Sequence, residues 1–198
     1  MQILYVDMDE KTYSMCKQLK RDLVIEGARE VILADTGAKL MSKLHQMYSG
    51  TVKFESGNSM IIDPSKAQFI KWKFEGHKLG IFYKFKEEFN ALKKVFGSDL
   101  CDNLNDFDSG KCKVIALQIV SGREGISLKN ADYIVFYNID FSATSYWQAR
   151  DRMTTKDRKH NKIYWVFAKN GIEGKIYKAV SNKKDYTLSH FRADLVSL

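Results

Sequence analysis

Several things are scarce in this sequence. One proline occurs in 198 residues, which argues against a disordered tail. Three cysteines, Cys16, Cys101 and Cys112, are odd in number, widely spaced and without a Cys-x-x-Cys pair. They therefore read as buried reduced thiols of an intracellular protein. Four scattered histidines form neither a zinc-ligand pattern nor a triad, so no resident metal is expected. No run of apolar residues is long enough to span a bilayer. The start, MQILYVDMDEK, lacks the charged leader and apolar stretch of a signal peptide, so a cytoplasmic location is expected. The sequence also has no Gly-x4-Gly-Lys-Ser/Thr phosphate loop. Gly171-Ile172-Glu173-Gly174-Lys175 fails both its spacing and its context, and no acidic motif after a strand offers a magnesium carboxylate.

What is present suits a folded globule. Hydrophobic residues make up 44% of the chain, and 32 Lys and Arg oppose 24 Asp and Glu, for a net charge of +8. That excess fits a polyanionic partner and equally a mildly basic surface. The length suits one domain, or one domain with a small appendage.

In chain order, residues 3–6 are β-like. A helix is expected over residues 9–26, capped by Asp9, and a second over residues 36–48. Residues 49–58 read as a loop or hairpin arm around Val52. Asp63-Pro64 starts a helix reaching Phe74 that exposes Lys66, Lys71 and Lys73. A domain boundary is set here, with an appendage over residues 1–62 and the main domain over residues 63–198. Residues 79–83 form the first core strand, and Phe85, Phe89, Leu92 and Phe96 mark an amphipathic helix. A short helix follows at residues 103–107. Strands at 113–119, 133–137 and 162–167 then alternate with helices at 143–154 and 172–183, which argues an α/β fold with a parallel sheet flanked by helices.

The stretch over residues 114–158 organises the rest. Two apolar runs, Val114–Leu117 and Tyr133–Tyr137, suit strands buried on both faces. Between them lies a loop with Gly122 and Gly125, at a strand's carboxyl end where open α/β sheets bind ligands. After the second run come Asp140-Phe141-Ser142 and a helical pattern. On that helix Gln148 and Arg152 are four residues apart and share a face, while Tyr146, Ala149 and Met153 lie on the other side.

The order and spacing of these parts resemble the second lobe of a superfamily-two helicase, most closely of the Swi/Snf-type DNA translocases. Gly125-Ile126-Ser127-Leu128 with Ala131-Asp132 resembles motif V. Asp140-Phe141 stands where the family has Asp-Trp. Gln148-Ala149-Arg150-Asp151-Arg152 resembles motif VI, Gln-Ala-x-Asp-Arg. More weakly, Ser65-Lys66 resembles the pair that opens the lobe. Leu44-His45-Gln46-Met47 resembles the segment bridging the lobes, or is simply a helical cap on the core.

The resemblance implies a RecA-like C-terminal motor lobe with an N-terminal helical appendage. It also implies a missing first lobe, in cis or in trans, that binds most of the ATP and Mg2+. Arg152 would then be the catalytic arginine finger with Gln148 orienting it, and Gly125, Gln148 and Arg152 would meet the nucleotide. DNA backbone contacts are expected at Lys84, Lys86, Ser121, Gly122 and Arg123, with little base readout. One departure stands out: motif VI usually carries a second arginine where this chain has Thr155. That favours an alternative, a non-catalytic nucleic-acid-binding module on the same fold. An unrelated α/β nucleotide-binding domain such as a methyltransferase would need a glycine-rich loop after the first strand, and Tyr83-Lys84-Phe85-Lys86 is not one.

Overall fold

The computed structural model describes residues 1–119, 128–152 and 162–195, and of residues 150–152 the backbone alone. The first strand, β1 (Gln2–Val6), leads into α1 (Glu10–Asp22), which stops where Leu23 adopts the left-handed conformation. The helix is shorter than its apolar pattern suggests, because the β-branched Val24 and Ile25 continue as β2 (Val24–Glu26), paired antiparallel with β3 (Val31–Leu33). Asp9 occupies the position before α1, but its side chain makes no cap hydrogen bond. Thr36 does cap α2 (Gly37–Tyr48), accepting from the Lys39 backbone N–H. A second hairpin follows, β4 (Thr51–Lys53) against β5 (Ser59–Ile61). Residues 1–62 are thus not simply helical.

The remaining elements are α3 (Ser65–Lys73), β6 (Leu79–Tyr83), α4 (Lys86–Phe96), β7 (Leu100–Cys101), α5 (Leu104–Asp108), β8 (Val114–Gln118), β9 (Tyr133–Phe136), α6 (Ala143–Arg152), β10 (Lys162–Ala168), α7 (Glu173–Ser181) and α8 (Leu188–Asp194). Among the described residues β1, β10, β9, β6, β8 and β7 form, in that spatial order, one parallel sheet. This is the RecA-like α/β architecture expected of a helicase C-terminal lobe. One contribution was not foreseen: β1, from the N-terminal segment, is the edge strand of the main sheet and pairs with β10 over its whole length.

Helices cover both faces, and the period of two in each strand decides which residue meets which layer. Ile81, Val114, Ala116, Val135 and Val166 face one side, with Ala67 and Ile70 of α3 and Ala91 and Leu92 of α4. Phe82, Ile115, Ile134, Phe136, Trp165 and Phe167 face the other, with α2, α5, α7 and α8. On that second face Phe82, Phe136 and Trp165 stand in register across three strands. Their rings stack at 5.1 and 4.1 Å between centroids, so aromatic contacts reinforce the ladder.

Two expectations are corrected here. Lys66 is not exposed: its side chain is fully buried and paired with Glu173 at 2.5 Å. Cys101 and Cys112 are not separate reduced thiols but are joined as a disulfide that ties β7 to the segment just before β8. Only Cys16 stays a free buried thiol, its pKa pushed up to about 12 by burial.

Candidate functional site

The parallel sheet brings the carboxyl ends of β6, β8 and β9 together, where loops of α/β folds meet ligands. Past β8, the Ile119 N–H donates to the Tyr83 carbonyl at 2.8 Å, and the Gln118 amide donates to the Lys84 carbonyl at 3.2 Å. The segments that follow β6 and β8 therefore leave from neighbouring strands. Residues 120–127, which hold Ser121, Gly122, Arg123 and Gly125, lie outside the described residues, as does Thr155. Leu128, the next described residue, is buried and lies against Gly80 of β6. A Cβ on Gly80 would lie 2.5 Å from the Leu128 Cδ1 atom. The missing side chain at Gly80 thus makes room for Leu128, the kind of close approach that a glycine inside a core strand signals.

Lys84 and Lys86 differ sharply. Lys86 is exposed at the start of α4. Lys84 is mostly buried, pairs with Asp140 at 2.8 Å, and lies over the Phe85 and Phe141 rings at 5.8 and 5.5 Å. Burial works to raise the Asp140 carboxyl, but Lys84 holds it below the usual carboxylate range. The second Asp140 oxygen accepts from the Ser142 N–H at 3.1 Å, just before α6, and Asp185 accepts from the Ala143 N–H at 2.8 Å. The Asp140 carboxylate therefore anchors the start of α6 and holds the Lys84 charge in an internal pair.

Beneath this pair runs a buried polar chain that the sequence did not announce. Glu88 of α4 accepts from the Lys84 and Phe85 backbone N–H groups at 2.7 and 3.0 Å. It also accepts from the amide of Asn138, which follows β9. The Asn138 Oδ1 atom lies 2.6 Å from His45 Nε2, on α2. The His45 ring sits against Phe85 and Phe141, and its Nδ1 has no partner among the described residues. Burial, with the nearby Lys84 charge adding to it, pushes the imidazole down to about 3. Burial likewise raises the Glu88 carboxyl. In consequence α2 packs as a cap on the carboxyl ends of β6 and β9.

On α6, Tyr146 is buried against Trp165 and Tyr177, and the Trp147 indole N–H donates to the Val180 carbonyl at 3.0 Å. These contacts roll the helix so that Gln148 is exposed. Arg152 closes the helix, four residues on; its side chain is not among those described. Among the described residues no group of three His, Cys, Asp or Glu is arranged to hold a metal. No described helix is long and apolar enough to cross a membrane.

The family model described as the helicase conserved C-terminal domain matches residues 97–154. No curated protein matches the chain. Two solved structures similar to it illustrate the likeness. A chain in the crystal structure of fission yeast Ccq1 and Tpz1 superposes with a TM-score of 0.62 at 12% identity, covering 99% of this chain and 80% of that one. The C-terminal part of the Fun30 ATPase domain gives a TM-score of 0.45 at 22% identity, covering 63% of this chain. This chain spans only 44% of that Fun30 chain. The sheet and the family match agree: the chain has the RecA-like fold of a helicase C-terminal lobe, and residues 97–154 carry that domain's sequence pattern.

Proposed function

We propose that the chain is the C-terminal motor lobe of an ATP-dependent DNA helicase or translocase of Swi/Snf type. The helicase C-terminal match over residues 97–154, which contains Gly125, Gln148 and Arg152, carries this reading. In it, the first lobe supplies the phosphate loop and the Mg2+ carboxylate that this sequence lacks. ATP bound there would be hydrolysed with the help of charge presented from α6. The packing of Tyr146 and Trp147 leaves Gln148 on an outward face. Arg152 shares that face by helical spacing, which fits a guanidinium offered across a cleft. Its contribution would be to neutralise charge developing on the transferred phosphoryl group. DNA would be held through its phosphates by Lys86, Ser121, Gly122 and Arg123, with Lys84 acting mainly through the loop it braces.

The reading is tested by phosphate release from the two-lobe protein, with and without DNA. DNA-stimulated turnover that collapses in Arg152→Ala supports it. Turnover unchanged by that substitution, or a two-lobe protein that neither hydrolyses ATP nor binds DNA, rejects it.

A second reading is favoured by two specific observations. Thr155 stands where motif VI usually has its second arginine, and α2, through His45, caps the strand ends beside the site. In this reading the chain is a non-catalytic module that binds nucleic acid, or like the Ccq1 and Tpz1 structure takes part in a protein complex. DNA binding without DNA-stimulated hydrolysis in the two-lobe protein distinguishes it.

A further inference from the structure

The two N-terminal hairpins and α1 line a groove of about 490 Å³, within the range of ligand-binding clefts. It lies far along the chain from residues 97–154 and uses none of the proposed motor residues. Its floor is Ile32 and Val52, both buried, and its walls include Met15, Ile25 and Phe54. The lip is Met60, 47% exposed and one of the few large hydrophobic side chains so open to solvent among the described residues.

The groove is preformed rather than a gap between loose loops. The Glu30 carboxylate accepts from Ser56 Oγ and from Asn58 Nδ2 at 2.7 Å, tying the turn of one hairpin to the turn of the other. The Glu55 N–H donates to the Val31 carbonyl at 3.0 Å beside it. Two exposed cations, Lys11 on α1 and Arg29 in the first turn, stand at the rim, and neither makes an ion pair with a described residue. The single rim carboxylate, Glu30, is already engaged by Ser56 and Asn58, and those hydrogen bonds lower its pKa so that it stays ionised.

We infer that this groove docks an apolar peptide segment flanked by carboxylates, supplied by a partner protein. An apolar floor with a half-open lip takes one or two anchor side chains, and the unpaired rim cations select the sign of the flanking charge. A basic or neutral apolar segment would meet the same floor without that complement.

The test uses the full chain with labelled methionine and isoleucine methyls, followed by NMR. The probes are short synthetic peptides with Leu, Ile and Phe at helical spacing, in one set flanked by Asp and Glu and in another by Lys, together with anilinonaphthalene sulfonate as a small apolar anion. The acidic peptides are expected to shift the Met15, Met60 and Ile25 methyls saturably and to displace the small anion. Met60→Asp should abolish those shifts, and Lys11→Glu with Arg29→Glu should weaken binding by about tenfold. All three substituted side chains are exposed, so the fold is not at stake. The inference is overturned if the acidic peptides shift nothing, if the basic set binds equally well, or if shifts survive Met60→Asp. Binding of the small anion alone would also overturn it, marking a site for small amphiphiles.

Discussion

The Nζ atom of Lys66 lies 2.5 Å from Oε1 of Glu173, with both side chains fully buried. Lys66 belongs to α3, on one face of the sheet, and Glu173 opens α7, on the other. Their pair passes at the carboxyl ends of β9 and β10, where Lys66 also donates to the Tyr137 carbonyl at 3.3 Å and sits 5.4 Å from that ring. It clamps the two helical layers beside the strand ends that carry the candidate site.

Removing one member of this pair strands the other in a dry site. Lys66→Ala and Glu173→Ala should each lower unfolding free energy by about 3–5 kcal/mol. The double change Lys66→Met with Glu173→Leu should recover much of that loss, because a buried ion pair gains little over apolar packing. Denaturant titration measures both. Equal stability of the single variants and the parent would show that the pair is solvated in solution.

Gly50 joins α2 to β4 at a φ of +84°, and a Cβ there would lie 2.0 Å from the Asp63 carbonyl oxygen. The Asp63 carboxylate accepts from the Asp9 N–H and from Thr12 Oγ1 at 2.7 and 2.8 Å, and from the Ser65 N–H at 2.9 Å. The same clash therefore disturbs the junction of α1 and α3. Gly50→Ala should cost about 3 kcal/mol or more, combining left-handed strain with steric overlap. A thermal melt checks it.

His45 predicts an acid-labile fold. Its folded pKa lies at about 3, below the ordinary value of about 6.5. Above pH 6.5 the ring is neutral in both states and contributes no slope. As pH falls below 6.5 the unfolded chain takes up the proton first, so stability drops by up to about 1.4 kcal/mol per pH unit until the folded pKa is reached. The raised pKa of Glu88 works in the opposite direction over part of this window. The contribution of His45 is therefore read as the difference between the parent and His45→Gln in urea titrations from pH 7 to pH 4. A variant with the parent's slope would remove His45 as the cause.

Arg152→Ala in the two-lobe protein should lower the hydrolysis rate by about a thousandfold, with little change in DNA affinity. Arg152→Lys should rescue poorly, since an ammonium lacks the planar fork of a guanidinium. Thr155→Arg should raise the rate where the missing arginine limits it. Single-turnover hydrolysis and a DNA titration separate these outcomes.

For the chain alone, DNA binding should be weak, indifferent to sequence, and steeply weakened by salt. The log–log slope should be about −0.9 per phosphate neutralised. Lys86→Glu should flatten that slope more than Lys84→Glu, because Lys84 is already paired with Asp140. Fluorescence anisotropy over a salt series measures this, and equal slopes for the two variants would place Lys84 at the DNA.

Much of the architecture was written locally. Alternating apolar strands and amphipathic helices from Leu79 onward name the parallel sheet, because a parallel strand buried on both faces must be apolar and its crossover must be long. The spacing of residues 125 to 152 likewise marks the helicase resemblance, since motif order survives as a pattern of residue types. Three things were decided only by the tertiary structure. The strand β1 joins the sheet at β10, a pairing of residues more than 150 positions apart that no local period encodes. Lys66 and Lys84, alike in sequence with any solvated lysine, are drawn into pairs with Glu173 and Asp140 because folding sets those carboxylates beside them. The cap by His45, its bond to Asn138 and the support of Asn138 by Glu88 unite α2, the segment after β9 and α4. A side chain's neighbours within an element follow from its period, but its partners across elements exist only once the chain has closed on itself.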